Sequence, residues 1–229
     1  IRRQRQMCIR DSLFFFPLSV DYKGLNILAQ RLTQEKEILR AKYGIPKKAL
    51  VILFVGRLAN EKRPFDLIKA CAKLKEEEKR VALVFVGDGY LKRRLHDLAK
   101  EMSLRDVYFL GFRPKTEVPN FYALADVLVL PSDYEPHGDV VKEAMCFGLP
   151  VIVSDKVGAS YDVVKHGENG FVYPCGDTER LASYIDELSD EQKRKHFGER
   201  SREIIKDWGH DRAINGLIEA LDFIYKARG

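Results

Sequence analysis

Two acids, Glu135 and Glu143, stand with seven residues between them in the stretch Ser132-Asp133-Tyr134-Glu135-Pro136-His137-Gly138-Asp139-Val140-Val141-Lys142-Glu143. Carboxylate oxygens accept hydrogen bonds, and their charge strengthens those bonds, so acids grip sugar hydroxyls well. The backbone N–H groups between the two acids, at a turn that opens a helix, would face outward where the helix dipole favours anions. A turn with one acid before it and one on its helix suits a molecule that is sugar at both ends and phosphate between, as a nucleotide-sugar is. Gly138 has no side chain and would let the backbone approach phosphate closely. Upstream, Arg57 and Lys62 are five apart and offer two positive charges. Preorganised cations stabilise the charge that builds on a leaving diphosphate. With two side chains to carry that charge, no metal is required.

The elements that must position these residues alternate along the chain. The continuous apolar run at 51–55 reads as a strand buried on both faces, 81–86 as a second buried strand, and 107–110, 127–130 and 151–154 as further strands, with a sixth at 171–173. Helix-period patterns are expected at 64–79, 90–102, 116–124 and 140–147, and three more at 178–188, 191–207 and 211–226. A polar helix is expected at 29–41, ended by Gly44-Ile45-Pro46. Strands alternating with helices imply right-handed crossovers and a parallel, doubly wound α/β sheet. Ligands of such sheets sit beyond the carboxyl ends of the strands. That rule gathers Gly56-Arg57, Gly87-Asp88-Gly89, Gly111-Phe112-Arg113 and the turn from Ser132 to Gly138 around one crevice.

The two acids resemble the E-x7-E motif of retaining glycosyltransferases with the GT-B fold, especially family 4. Val51-Ile52-Leu53-Phe54-Val55-Gly56-Arg57-Leu58 with Glu61-Lys62 resembles that family's first strand and phosphate-binding turn. Val84-Phe85-Val86-Gly87-Asp88-Gly89, Phe109-Leu110-Gly111, Ala125-Asp126-Val127 and Gly148-Leu149-Pro150-Val151-Ile152 follow in the family's order. The resemblance runs from about Tyr43 to about Ala220. It implies a Rossmann-like domain that binds a UDP- or GDP-sugar and supports transfer of its glycosyl group with retention. It implies that Arg57 and Lys62 hold the diphosphate and that Glu143 holds the ribose hydroxyls. Glu135 is expected near the anomeric carbon, where it would stabilise an oxocarbenium-like transition state. Gly56, Gly87, Arg113, Pro136, His137, Gly138 and Asp139 complete the expected donor site. Gly87 and Gly89 would allow a tight turn facing sugar or phosphate. Arg113 is expected to turn its side chain to solvent, leaving the base to the backbone. His137 stands where the family often has an aromatic or small residue; it could donate to phosphate or sugar, or simply fill space. Asp139 stands where an aliphatic residue is usual. Its charge would repel a diphosphate unless it turns away or caps the helix, and capping is expected. Such enzymes are typically metal-independent, so no cofactor is expected.

Composition narrows the classes further. The chain of 229 residues is 45% hydrophobic and 32% charged, with a net charge of +5. Interleaved charges such as Lys73-Leu74-Lys75-Glu76-Glu77-Glu78-Lys79-Arg80 read as a solvated helix face rather than a nucleic-acid patch. Phe14-Phe15-Phe16-Pro17-Leu18 is too short to span a membrane. Cys8, Cys71, Cys146 and Cys175 form no CxxC pair, which speaks against a disulfide framework or a zinc site. Cys71 and Cys146 fall on apolar helix faces, and a cytoplasmic setting fits, at the inner face of the membrane if the acceptor is there. Residues 1–12 resemble a translated sequencing adapter and are read as non-native, with a basic arm as the biological alternative. Residues 13–48 are expected to be an interdomain linker and helix remnant, and 49–229 the nucleotide-sugar domain with its C-terminal helices. Trp208 reads as a packing anchor for those helices, which in GT-B enzymes cross back towards the first domain. An N-terminal domain that binds a glycan or lipid-linked acceptor, and makes any peripheral membrane contact, would lie upstream. A GT-B sugar-nucleotide epimerase, a phosphorylase and a non-catalytic nucleotide-binding remnant are the alternatives; no lysine motif for a phosphorylase's pyridoxal phosphate is evident.

Overall fold

The computed structural model describes residues 19–76 and 80–226. The 1–12 segment, the Phe14–Leu18 run, Cys8 and the last turn expected for the 64–79 helix lie outside the described residues. Six strands form one sheet: β1 (Leu50–Val55), β2 (Val81–Val86), β3 (Val107–Phe109), β4 (Val127–Leu130), β5 (Val151–Ser154) and β6 (Gly170–Tyr173). Their order is β3-β2-β1-β4-β5-β6 and every pairing is parallel. The order reverses between β1 and β4, so the loops after these two strands flank the switch point of the sheet, where open α/β sheets take their ligands. β1, β4 and β5 are buried along their whole lengths, as continuous runs of branched and apolar residues require when helices cover both faces.

The helices are α1 (Tyr22–Leu32), α2 (Lys36–Lys42), α3 (Pro64–Glu76), α4 (Lys92–Glu101), α5 (Val118–Leu124), α6 (Asp139–Cys146), α7 (Ala159–Asp162), α8 (Thr178–Glu187), α9 (Glu191–Lys206) and α10 (His210–Lys226). The single helix expected at 29–41 is instead α1 and α2, joined by a 3-10 turn at Thr33–Glu35. Thr33 Oγ1 donates back to the Ala29 carbonyl at 2.6 Å, a bond that bends helices. The start of α1 is set by Asp21, whose side chain accepts from the Gly24 N–H. Cys71, Cys146 and Cys175 are free thiols, the first two buried, and burial pushes the Cys71 thiol up to about 12. Trp208 sits at the turn between α9 and α10 and packs against the core; its carbonyl accepts from the Val20 N–H at 3.0 Å. Beyond that turn, α10 leaves Ile214, Leu217, Ile218 and Leu221 about half exposed. No helix of the described residues is long and apolar enough to cross a membrane.

Below the sheet, at the opposite end from the candidate site, Asp126 ties α2 to β1 and β4. Its carboxylate takes Arg40 and Lys36, each at 2.7 Å, and the Val51 N–H at 2.8 Å. Burial raises its pKa, but the two cations and the N–H outweigh burial and hold it below the ordinary value. The charged form therefore stabilises the fold above the unfolded carboxylate value of about 4, and that contribution is lost as pH falls through the lower folded value. Asp126→Asn is expected to cost about 3 kcal/mol at neutral pH, since it leaves the buried Arg40 and the part-exposed Lys36 without their acid. It should also flatten the acid limb of a stability–pH curve measured by urea unfolding; an unchanged limb would assign acid unfolding to other carboxylates.

Candidate functional site

The loops after β1 and β4 meet. The Asp133 N–H donates to the Glu61 carbonyl at 3.0 Å, which brings the 3-10 turn Asn60–Lys62 beside the segment leading to Glu135. Lys62 Nζ reaches Glu135 Oε2 at 2.6 Å, with the lysine and glutamate side chains 17% and 19% exposed. The other oxygen, Oε1, accepts from the backbone N–H groups of Gly138 (3.2 Å) and His137 (3.4 Å). Burial would raise the Glu135 pKa, yet Lys62 and the two N–H donors hold it below the usual carboxylate value. Two residues separated by 73 positions are thus joined, and the N–H groups expected to face an anion already hold one, the protein's own carboxylate.

The loop after β5 supports this turn from the other side. The Gly158 N–H donates to the Glu135 carbonyl at 2.8 Å. A Cβ at Gly158 would lie 2.0 Å from the Pro136 carbonyl oxygen, so only glycine lets the two loops lie this close. Gly138 has φ +70°, and a Cβ there would come within 3.0 Å of Ala159 and 3.1 Å of Val157. Its lack of a side chain serves this packing as well as any approach by phosphate. Pro136 and His137 are exposed.

Several expected placements need correction. Asp139 does not cap α6: Gly138 occupies the cap position with no side-chain bond, and Glu135 takes the N–H groups instead. Asp139 is the first helical residue, exposed, 4.0 Å from Lys142. Arg113 keeps about a third of its side chain exposed and is also held by the protein. Its Nε donates to the Leu110 carbonyl at 3.1 Å, and its guanidinium lies 5.9 Å from the Phe121 ring centre and 3.6 Å from Glu117. The Gly87-Asp88-Gly89 turn faces protein backbone: a Cβ on Gly87 would meet the Gly56 carbonyl oxygen at 2.0 Å, and one on Gly89 would meet that of Leu58 at 2.3 Å. Gly56, Gly87 and Gly111 are chained by Gly56 N–H to Val86 O (3.0 Å) and Gly87 N–H to Gly111 O (2.9 Å).

The four charged residues do not converge on one contact. Arg57 is largely exposed, and its guanidinium binds Glu61 at 2.6 Å, four residues on. Glu143 is mostly buried, with Oε2 accepting from the Tyr122 hydroxyl at 2.8 Å and Oε1 3.8 Å from Lys115 Nζ. It lines a cavity of about 290 Å³ shared with Lys115, Pro119, Asp139 and His210. Lys62 and Glu135 form one centre, and Glu143 stands at another on the same turn–helix unit. Tyr122 and Lys115 went unnoticed in the sequence, and Glu61 was read as part of the turn without its bond to Arg57. Tyr122 carries the pattern of a core aromatic, and its 1% exposure agrees with that pattern while hiding its polar bond. Among the described residues no group of three or more His, Cys, Asp or Glu is placed to hold a metal ion.

The family described as glycosyl transferases group 1 matches residues 35–204. A glycosyltransferase of Methanocaldococcus jannaschii is 41% identical over 162 residues, covering 69% of this chain and 41% of the relative. The N-acetyl-alpha-D-glucosaminyl L-malate synthase of Bacillus anthracis is 32% identical over 200 residues, covering 86% of this chain and 51% of the relative. The chain thus spans about half the length of these curated relatives. Among solved structures, Anabaena HepE in complex with UDP-glucose superposes with a TM-score of 0.72 at 26% identity, over 84% of this chain and 53% of that one. The Rossmann-like α/β sheet expected from the strand–helix alternation is the one present, and it matches one half of these GT-B folds.

Proposed function

Because the chain belongs to the glycosyl transferases group 1 family, we propose that it is the donor-binding half of a retaining, family 4 glycosyltransferase that uses a UDP- or GDP-sugar. The observation that carries this reading is the Lys62–Glu135 contact, made between the loops after β1 and β4 at the switch point of the sheet. It puts a cation, two backbone donors and a carboxylate within one small volume. In this reading the donor's diphosphate takes Lys62, and Arg57 leaves Glu61 to join it. These charges neutralise the leaving group without a metal, by the electrostatic route that is often the largest part of catalysis. Glu135, displaced from Lys62, faces the sugar and stabilises positive charge near its anomeric carbon. Glu143 accepts from the ribose hydroxyls. Gly56, Gly87 and Gly138 keep the loops close, and His137 sits at the mouth where it donates to phosphate or sugar. A second Rossmann-like domain supplies the acceptor site, for a glycan or a lipid-linked acceptor at the cytoplasmic face of a membrane.

HepE, crystallised with UDP-glucose, supports the choice of donor class. The test is a thermal-shift screen of this chain against UDP-, GDP- and ADP-sugars, in which a bound donor raises the melting temperature by mass action. At a hundredfold excess over Kd the expected stabilisation is about 2.7 kcal/mol. Glu143→Ala is expected to remove most of the shift. A screen with no shift from any of the three donors at millimolar concentration would sink the proposal. Release of nucleoside diphosphate by this chain alone is expected to stay at background, since the acceptor side lies on another domain.

A further inference from the structure

The hydrogen bond between Tyr122 and Glu143 goes beyond holding two helices together. Tyr122 comes from α5, and at 1% exposure its ring packs 5.5 Å from that of Phe147. Its hydroxyl is directed at one oxygen of Glu143. A carboxylate has two oxygens that exchange places when the side chain turns. With Oε2 held from inside the protein, Oε1 is the oxygen left for Lys115 and the cavity. Lys115 is 91% exposed and stands 3.8 Å away, too far for a hydrogen bond and too solvated to fix the group from the solvent side.

We infer that Tyr122 is a positioning residue, which locks Glu143 so that a single carboxylate oxygen is presented to a vicinal diol of the ligand. The inference rests on the donor-binding reading above, in which that diol is the ribose of the nucleotide. Two consequences follow from the chemistry. A prearranged acceptor binds a diol without first having its own rotation frozen, so the gain appears only for ligands that carry the hydroxyls. The hydroxyl stays a donor at all working pH values, because burial first and the Glu143 charge second push its pKa well up.

The experiment measures binding of UDP and of 2′,3′-dideoxy-UDP to the full chain by calorimetry, for the wild type and Tyr122→Phe. The variant deletes one oxygen and keeps the ring. Its affinity for UDP is expected to fall roughly fivefold to tenfold, the worth of one hydrogen-bonded contact, while its affinity for the dideoxy nucleotide stays at the wild-type value. Equal losses for both nucleotides, or no loss for either, would overturn the role of Tyr122 while leaving the donor reading intact. Absence of UDP binding to the wild-type chain would instead overturn the donor reading, and this inference with it.

Discussion

Lys62→Met is expected to weaken binding of a UDP-sugar by about 10- to 150-fold, the equivalent of one charge-assisted hydrogen bond of about 1.5–3 kcal/mol. Two effects act together. If the diphosphate binds as proposed, it loses the cation that shares Glu135 with the backbone donors of His137 and Gly138. Glu135 loses its counter-charge while staying four-fifths covered, so its negative charge faces the incoming phosphates unmasked. Stability should fall less, by about 1 kcal/mol, because Glu135 keeps its two N–H donors and some solvent. Lys62→Arg should recover part of the binding, since the charge is kept while the fork geometry differs. Glu135→Gln gives the opposite sign for the nucleotide itself. Freed from its carboxylate partner, Lys62 should hold UDP at least as tightly as in the wild type. Calorimetric titration of the three variants checks the set. If Lys62→Met binds UDP-glucose like the wild type, the diphosphate does not lie on Lys62 and the site has been misplaced.

Gly87→Ala is expected to destabilise the fold by about 4 kcal/mol, the sum of overpacking and of backbone strain. The added methyl carbon would sit 2.0 Å from the Gly56 carbonyl oxygen and 2.9 Å from its carbon, with φ at +137°. Neither obstacle is a flexible side chain, so the loops after β1 and β2 must separate. That movement also breaks the Gly87 N–H bond to Gly111 and shifts Arg57 and Lys62, which follow Gly56. For a domain of this size such a loss lowers the melting temperature by roughly 10 °C. Gly111→Ala is the matched control. Its φ is +73°, but nothing lies within 4 Å of the added carbon, so only the left-handed backbone is penalised, at about 1–2 kcal/mol. A melting temperature for Gly87→Ala no lower than that of Gly111→Ala would show that the two loops are not held against each other as described.

β1, β2 and β4 were legible because each is an uninterrupted apolar run, and a strand covered on both faces has no polar position to offer. The turns after them were legible through glycine. What glycine alone could not say is which neighbour needs the space. Gly87 and Gly89 read as openings for a ligand, and they turn out to admit the backbone of Gly56 and Leu58. The break between α1 and α2 was missed because a side-chain bond from Thr33 to its own helix leaves no mark on the apolar period. The four-residue α7 is too short to show any period.

Residue types and order along the chain were enough to put Lys62, Glu135 and Glu143 after the strands, in segments that a parallel sheet brings to the same edge. Which side chains touch was decided by folding. Lys62 finds Glu135 across 73 residues, while Arg57 finds Glu61 within its own turn. Glu135, and not Asp139, satisfies the N–H groups before α6. Tyr122 turns its buried hydroxyl to Glu143. Periodicity reports which face of an element is covered, a property of each residue and its near neighbours. A hydrogen bond depends on positions good to a few tenths of an ångström between segments distant in the chain, and only the packed sheet and its loops define those.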